Sequence, residues 1–162
     1  MELGYRSFLA TALIIFIIGA FILVYAALHI SKNPMALFKP SAVTVRDTNV
    51  EVRRANTPAT RAKGLAGVTA LLDTEGMWFI FDSPARQVFW MKDMLIPIDI
   101  IWVLDHTVVG VSKEVPLPAP GTPDALLPTY PSPGPVDHAL EVSAGFARRH
   151  SLNIGDPVEF NP

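Results

Sequence analysis

The stretch from Phe8 to Leu28 has no charged residue, and it constrains this chain more than any other feature. It reads FLATALIIFIIGAFILVYAAL, 21 residues long, and a helix of about 20 apolar residues spans the hydrocarbon core of a bilayer. Thirteen of them are Leu, Ile, Phe or Val. At about −0.3 to −0.6 kcal/mol each, their insertion gains on the order of 4 to 8 kcal/mol. Thr11, Gly19 and Tyr25 reduce that gain without reversing it. The expectation is one transmembrane helix over residues 8–28, a signal-anchor with a tip of residues 1–7 before it and a linker, residues 29–41, after it. A second reading is a cleaved secretory signal with Val24-Tyr25-Ala26 as the cleavage site, but signal cores run about 7 to 15 residues and this run is longer. A third reading is a buried core helix, and the lack of any polar face weighs against it. Arg6 precedes the run and Lys32 and Lys39 follow it, so the positive-inside rule is nearly balanced. The very short basic tip points the rest of the chain out of the cytoplasm and makes the bilayer its first expected partner.

Residues 42–160 remain for one globular domain, enough for a single core. Of 13 Lys+Arg and 15 Asp+Glu, only Arg6 and Glu2 precede the apolar run, and the others are scattered with a slight acidic balance. That is no electrostatic footprint for nucleic acid. The chain has no cysteine, which excludes disulfides, thiolate nucleophiles and zinc–sulfur sites. His106, His138 and His150 stand at no metal-ligand interval. Nucleophile-elbow and phosphate-loop patterns are absent too, so no catalytic residue, metal or cofactor is expected.

Local signals give a β-rich domain. Val43 and Val45, an Asp47-Thr48-Asn49 turn, then Val50 and Val52 read as a hairpin. Thr57-Pro58 starts a helix that stops at Gly64 or Gly67. Residues 76–81 (GMWFIF) and 86–91 (RQVFWM) read as two strands around an Asp82-Ser83-Pro84 turn. Residues 96–104 form the strongest strand, and Asp105-His106 turns it into another at 108–115. Residues 116–135 hold eight prolines, which predicts a long loop and excludes a helix or a central strand. A strand at 137–142, a short helix at 145–150 and a strand at 158–160 close the domain. The fold class is α+β, mostly β: a small barrel or sandwich of short strands with two brief helices, preceded by the transmembrane helix.

Five polar or amphipathic residues are candidates for ligand binding. Trp90 and Lys92 fall on one side of a regular strand, where a lysine beside an indole suits an anion or a stacked ligand. Asp99 sits mid-strand between Ile98 and Ile100, so it must be paired, exposed at an edge, or raised in pKa, with Lys92 or Arg86 as its local partner. Glu141, between Leu140 and Val142, poses the same puzzle. Brought together, Asp99 and Glu141 would suit acid–base chemistry or a hard metal ion. Tyr130, at the end of the proline-rich loop, can close over a pocket. Each has a plainer role as well: packing and snorkelling for Trp90 and Lys92, a satisfied pair or cap for Asp99, a loop anchor for Tyr130.

Four segments in order, TPATRAKGLAG (57–67), EGMWFIF (75–81), FWMKDMLIPIDIIWV (89–103) and ALEVSAGFARRHSLNIGDPV (139–158), resemble the bacterial and archaeal "domain of unknown function 192" family. The resemblance spans nearly all of residues 42–160. It implies a compact β-barrel-like domain, often behind an N-terminal signal or anchor, and supplies no activity. The chain departs from the family pattern at Val68, where arginine is frequent, at Leu126 and Leu127, where cysteines are common, and at Ser143, where asparagine is usual.

Three functions follow. The first is a non-catalytic extracytoplasmic module that binds a small ligand, a peptide or an envelope component between barrel and proline loop. The second is a structural or assembly partner of an envelope or membrane protein, docking through Leu117, Leu126 and Leu127. The third is a hydrolase or transferase using Asp99, Glu141 and Lys92.

Overall fold

The valines at 43, 45, 50 and 52 alternate with polar residues, and the hairpin they form begins the sheet. The computed structural model describes residues 41–162; the expected tip, transmembrane helix and linker up to residue 40 lie outside the described residues. Strands β1 (Ser41–Val45) and β2 (Thr48–Ala55) pair antiparallel, Ser41 opposite Val52 and Val45 opposite Thr48. Their turn is Arg46-Asp47, with Arg46 at φ 55°, so Thr48 and Asn49 belong to β2 rather than to the expected turn.

Helix α1 (Pro58–Lys63) starts where Thr57-Pro58 predicts. The Thr57 hydroxyl accepts from the Thr60 N–H at 3.2 Å, and the Thr60 hydroxyl accepts from the Thr57 N–H at 3.0 Å. This reciprocal cap satisfies two otherwise orphaned donors. The helix ends at Gly64, at φ 52°.

Strand β3 (Glu75–Trp90) corrects the two-strand expectation. GMWFIF and RQVFWM are halves of one strand. Its register against β6 shifts between Ile80 and Ala85 and again between Arg86 and Val88, so Asp82-Ser83-Pro84 is absorbed as a bulge and does not reverse the chain. Strands β4 (Ile98–Leu104) and β5 (Thr107–Val115) form the expected hairpin. Asp105 and His106 both have positive φ, 46° and 60°, as a two-residue type I′ turn requires.

The proline-rich segment is a loop only as far as Pro128, with one 3-10 turn at Asp124–Leu126. From Thr129 it becomes β6 (Thr129–Ser143), which contradicts the expected loop to residue 135. Pro131, Pro133 and Pro135 occupy alternate positions, so their missing N–H groups lie on one edge. Along this half β6 pairs with β3 alone; β4 joins it only from His138 onward. Helix α2 (Phe146–Arg149) and strand β7 (Val158–Asn161) complete the domain.

The sheet order is β5-β4-β6-β3-β2-β1-β7, antiparallel except for β2 against β3. The two edge strands meet at one end, where Val108 N–H donates to the Asp156 carbonyl at 2.9 Å and Val158 N–H to the His106 carbonyl at 2.8 Å. The fold is a curled seven-stranded half-barrel with two short helices. Both faces of its middle are buried, which explains the apolar run at 100–104 of β4. Trp78, Ile101, Leu140, Val142 and Phe146 pack on one face. Leu65, Phe79, Ile98, Ile100 and Trp102 pack on the other. Among the described residues no helix is long and apolar enough to cross a membrane.

Candidate functional site

The register between β4 and β6 separates the two buried carboxylates. Ile100 lies opposite Glu141, and Asp99 lies opposite Val142. Directly opposed residues share a face and neighbours along a strand alternate, so Asp99 and Glu141 point to opposite sides of the sheet.

Asp99 is fully buried. Its Oδ1 accepts from the Glu114 N–H at 2.6 Å and the Gly145 N–H at 3.0 Å, and its Oδ2 accepts from the Ala147 N–H at 2.8 Å. It therefore caps α2 and fastens β5 to it. The expected local partners are engaged elsewhere: Lys92 pairs with Asp124, and Arg86 donates to the Pro133 carbonyl at 3.3 Å. The acid–base set of Asp99, Glu141 and Lys92 does not assemble.

Glu141 lies on the α1 side and is also buried. It accepts a hydrogen bond from the Leu65 backbone N–H, while Oε2 is buried without a hydrogen-bond partner. Burial pushes its carboxyl up to about 8, and the Leu65 bond and nearby Arg53 only partly oppose this. That shift favours the uncharged acid at neutral pH. Burial also draws the Arg53 guanidinium below its usual range, against the pull of Glu141 and Glu75. Gly64 makes room for the carboxyl. A Cβ there would stand 3.3 Å from Glu141 Oε2, at a positive φ that other residues rarely adopt.

A cavity of about 180 Å³ opens beside this carboxyl. Phe79, Phe81, Phe89 and Trp90 of β3 give it an aromatic wall. Phe89 is fixed by Phe79 and by Trp102, at ring-centroid distances of 4.7 and 5.0 Å. Arg61 and Lys63 of α1 and Lys92 bring three cations to the same cavity. Arg61 donates to the Ile80 carbonyl at 2.9 Å and lies 3.8 Å from the Asp82 carboxylate. Lys92 stands 5.7 Å over the Trp90 ring, and its bond to Asp124 raises its pKa. Among the described residues Lys63 is in no ion pair.

The structure thus brings Trp90, Lys92 and Glu141 around one cavity and leaves two candidates outside it. Asp99 serves the opposite face. Tyr130 sits opposite Phe89, half-buried against the same core, and does not line the cavity. Sequence reasoning did not name Arg61, Lys63, Gly64 or the phenylalanines of β3 as site residues, and Gly64 entered only as a helix stop. Only the Gly64 stop hinted at a close approach.

A second polar cluster was also missed. Asp73 accepts from Arg149 and Ser143, and its Oδ2 lies 2.7 Å from His150 Nε2; His150 Nδ1 lies 3.1 Å from the Thr48 hydroxyl. The Arg149 hydrogen bond leads in holding the Asp73 carboxyl down at about 2. The cluster ties α2 to β2, β6 and the loop before β3.

Residues 41–160 match the family model DUF192, described as "Uncharacterized ACR". No curated protein matches the chain. The fold is similar to a crystal structure from Sinorhizobium meliloti 1021 described as a putative transcription regulator, with TM-score 0.67 and 23% identity, over 76% of this chain and 95% of that one. A protein of unknown function from Novosphingobium aromaticivorans DSM 12444 is similar with TM-score 0.65 and 33% identity, over 74% of this chain and 83% of that one.

Proposed function

The chain belongs to the DUF192 family, and from the cavity beside Glu141 we propose that its domain is a non-catalytic binding module for a small ligand, held at the extracytoplasmic face of a membrane by residues 8–28. The observation that carries the reading is the buried Glu141 Oε2, which has no hydrogen-bond partner in the domain. A buried polar atom left unpaired costs about 1–3 kcal/mol, and a ligand acceptor in the adjoining cavity would recover that cost. The aromatic wall supplies non-directional burial, and the three cations supply orientation.

A thermal-shift screen of the purified domain against small acids, amines and neutral polar compounds tests the binding reading. A one-site ligand at 100 times its Kd adds about 2.7 kcal/mol, so at least one compound is expected to raise the melting temperature by several degrees. Ala62→Trp, an exposed α1 position on the cavity, is expected to abolish that rise. A silent screen, or shifts unchanged in Ala62→Trp, would contradict it. The tether has its own check: the full chain is expected in the carbonate-washed membrane fraction, with a C-terminal reporter active only outside the cytoplasm.

The assembly reading retains one specific observation. Leu95, Leu117 and Leu126 are 54%, 43% and 71% exposed, and the first two line a shallow cleft with Lys92. It stays second because nothing buried there lacks a partner.

A further inference from the structure

We infer that the ligand of this cavity is an organic anion with an apolar body, a carboxylate above all, whose oxygen accepts the hydrogen bond that Glu141 Oε2 gives to no group of the protein. The inference rests on the small-ligand reading above and goes on to name the ligand's chemistry.

Three observations converge on it. The uncharged Glu141 accepts the Leu65 N–H at one oxygen, which leaves the hydroxyl on Oε2 as a donor. The buried end of the ligand therefore offers an acceptor. A hydrogen bond from a neutral acid to a carboxylate is charge-assisted and stronger than one between neutral groups. The aromatic wall takes the apolar body.

Charge decides between an anion and the rival, a cation caged by the rings and an ionised Glu141. Every element packed around the carboxyl contributes. Arg53 comes from β2, Arg61 and Lys63 from α1, and Lys92 from the turn after β3, while Glu75 of β3 is the acid set against Arg53. Asp82 and Asp124 offset Arg61 and Lys92, Asp93 also acts on Lys92 from outside the cavity lining, and Lys63, in no ion pair among the described residues, leaves the lining itself with an excess of cations. A ligand cation would enter against that excess, and an anion enters with it.

Isothermal titration of the purified domain at pH 6.5 with 3-phenylpropionate, its amide and phenethylamine tests the inference. A parallel arm uses a tetrapeptide ending in phenylalanine with a free or an amidated C-terminus, because a carboxylate can belong to a free acid or to a chain end. The acid in either arm is expected to bind at least tenfold tighter than its amide, with the tighter arm naming the source. Lys63→Glu, at an exposed position, is expected to lower that affinity about tenfold with an unchanged melting temperature. Wild-type affinity is expected to fall above pH 8, where Glu141 loses its donor proton, while Glu141→Gln keeps its donor and binds with no such fall. Tightest binding by the amine, or equal binding of acid and amide, overturns the inference and leaves the binding module standing. Absence of binding by every probe in this titration and by every compound of the thermal screen removes both.

Discussion

Asp99→Ala is expected to destabilise the domain by about 3–5 kcal/mol, because three backbone N–H groups lose their acceptor at once and the site is closed to water. Each buried donor left unpaired costs about 1–3 kcal/mol, and the Glu114 N–H, only partly buried, recovers some of its share from solvent. Asp99→Asn separates loss of acceptors from loss of volume. Its amide oxygen can still serve Glu114 and Gly145, but its NH₂ meets the Ala147 N–H donor to donor, so an intermediate cost of about 2 kcal/mol is expected. Urea unfolding of the three proteins gives the comparison, and a change below 1 kcal/mol in Asp99→Ala would show that the carboxylate does not hold α2. Cavity binding by either variant, where folded, is expected to match the wild type, since Asp99 lies on the other face of the sheet.

The second large effect is a loss of stability on the alkaline side. Unfolded, the Glu141 carboxyl titrates near 4.5; folded, burial pushes it up to about 8. Between those values the folded state holds one proton more than the unfolded state, so stability falls as pH rises. At 1.36 kcal/mol for each pH unit, the fall from pH 5 to pH 9 comes to about 4 kcal/mol, a large part of a small domain's total. Asp73 acts with the opposite sign in a separate window. Its folded carboxyl is held at about 2, mainly by Arg149, so its contribution is complete above the unfolded value near 4 and is lost as pH falls through 2. The sum of these two contributions peaks near pH 4. Glu141→Gln is expected to remove the alkaline fall while leaving the acid limb intact. Equal alkaline slopes in wild type and Glu141→Gln, from urea unfolding at matched pH values, would contradict the account.

Local signals were enough for those parts of the fold that depend on local chemistry. Thr57-Pro58 caps and starts α1, Asp105-His106 turns β4 into β5, and the strand expected at 96–104 forms at 98–104. Where the same residues serve two structures, the sequence is ambiguous. Asp82-Ser83-Pro84 has the composition of a turn, and only pairing with β6 decides that β3 bulges and continues. The prolines at 131, 133 and 135 suggest a loop until their alternate spacing is set against a strand paired on one side only.

The site was half legible for the same reason. Asp99 and Glu141 are alike in sequence, each a carboxylate in an apolar strand. Their fates diverge through a register that pairs residues 100 and 141, a contact no local pattern encodes. Glu141, Trp90 and Lys92 were named in advance. Arg61 and Lys63 were not, because a basic residue late in a short helix is ordinary, and its nearness to β6 is tertiary information.

Site-resolved carbon-13 NMR titration of the Glu141 side-chain carboxyl tests most directly the claim that an uncharged acid stands ready at the cavity floor. The account predicts a midpoint near pH 8 in the free domain, moving higher when the tightest carboxylate probe is bound, because that ligand accepts from the protonated form alone. A midpoint in the ordinary carboxylate range, near pH 4 to 5, unmoved by every probe, would contradict it.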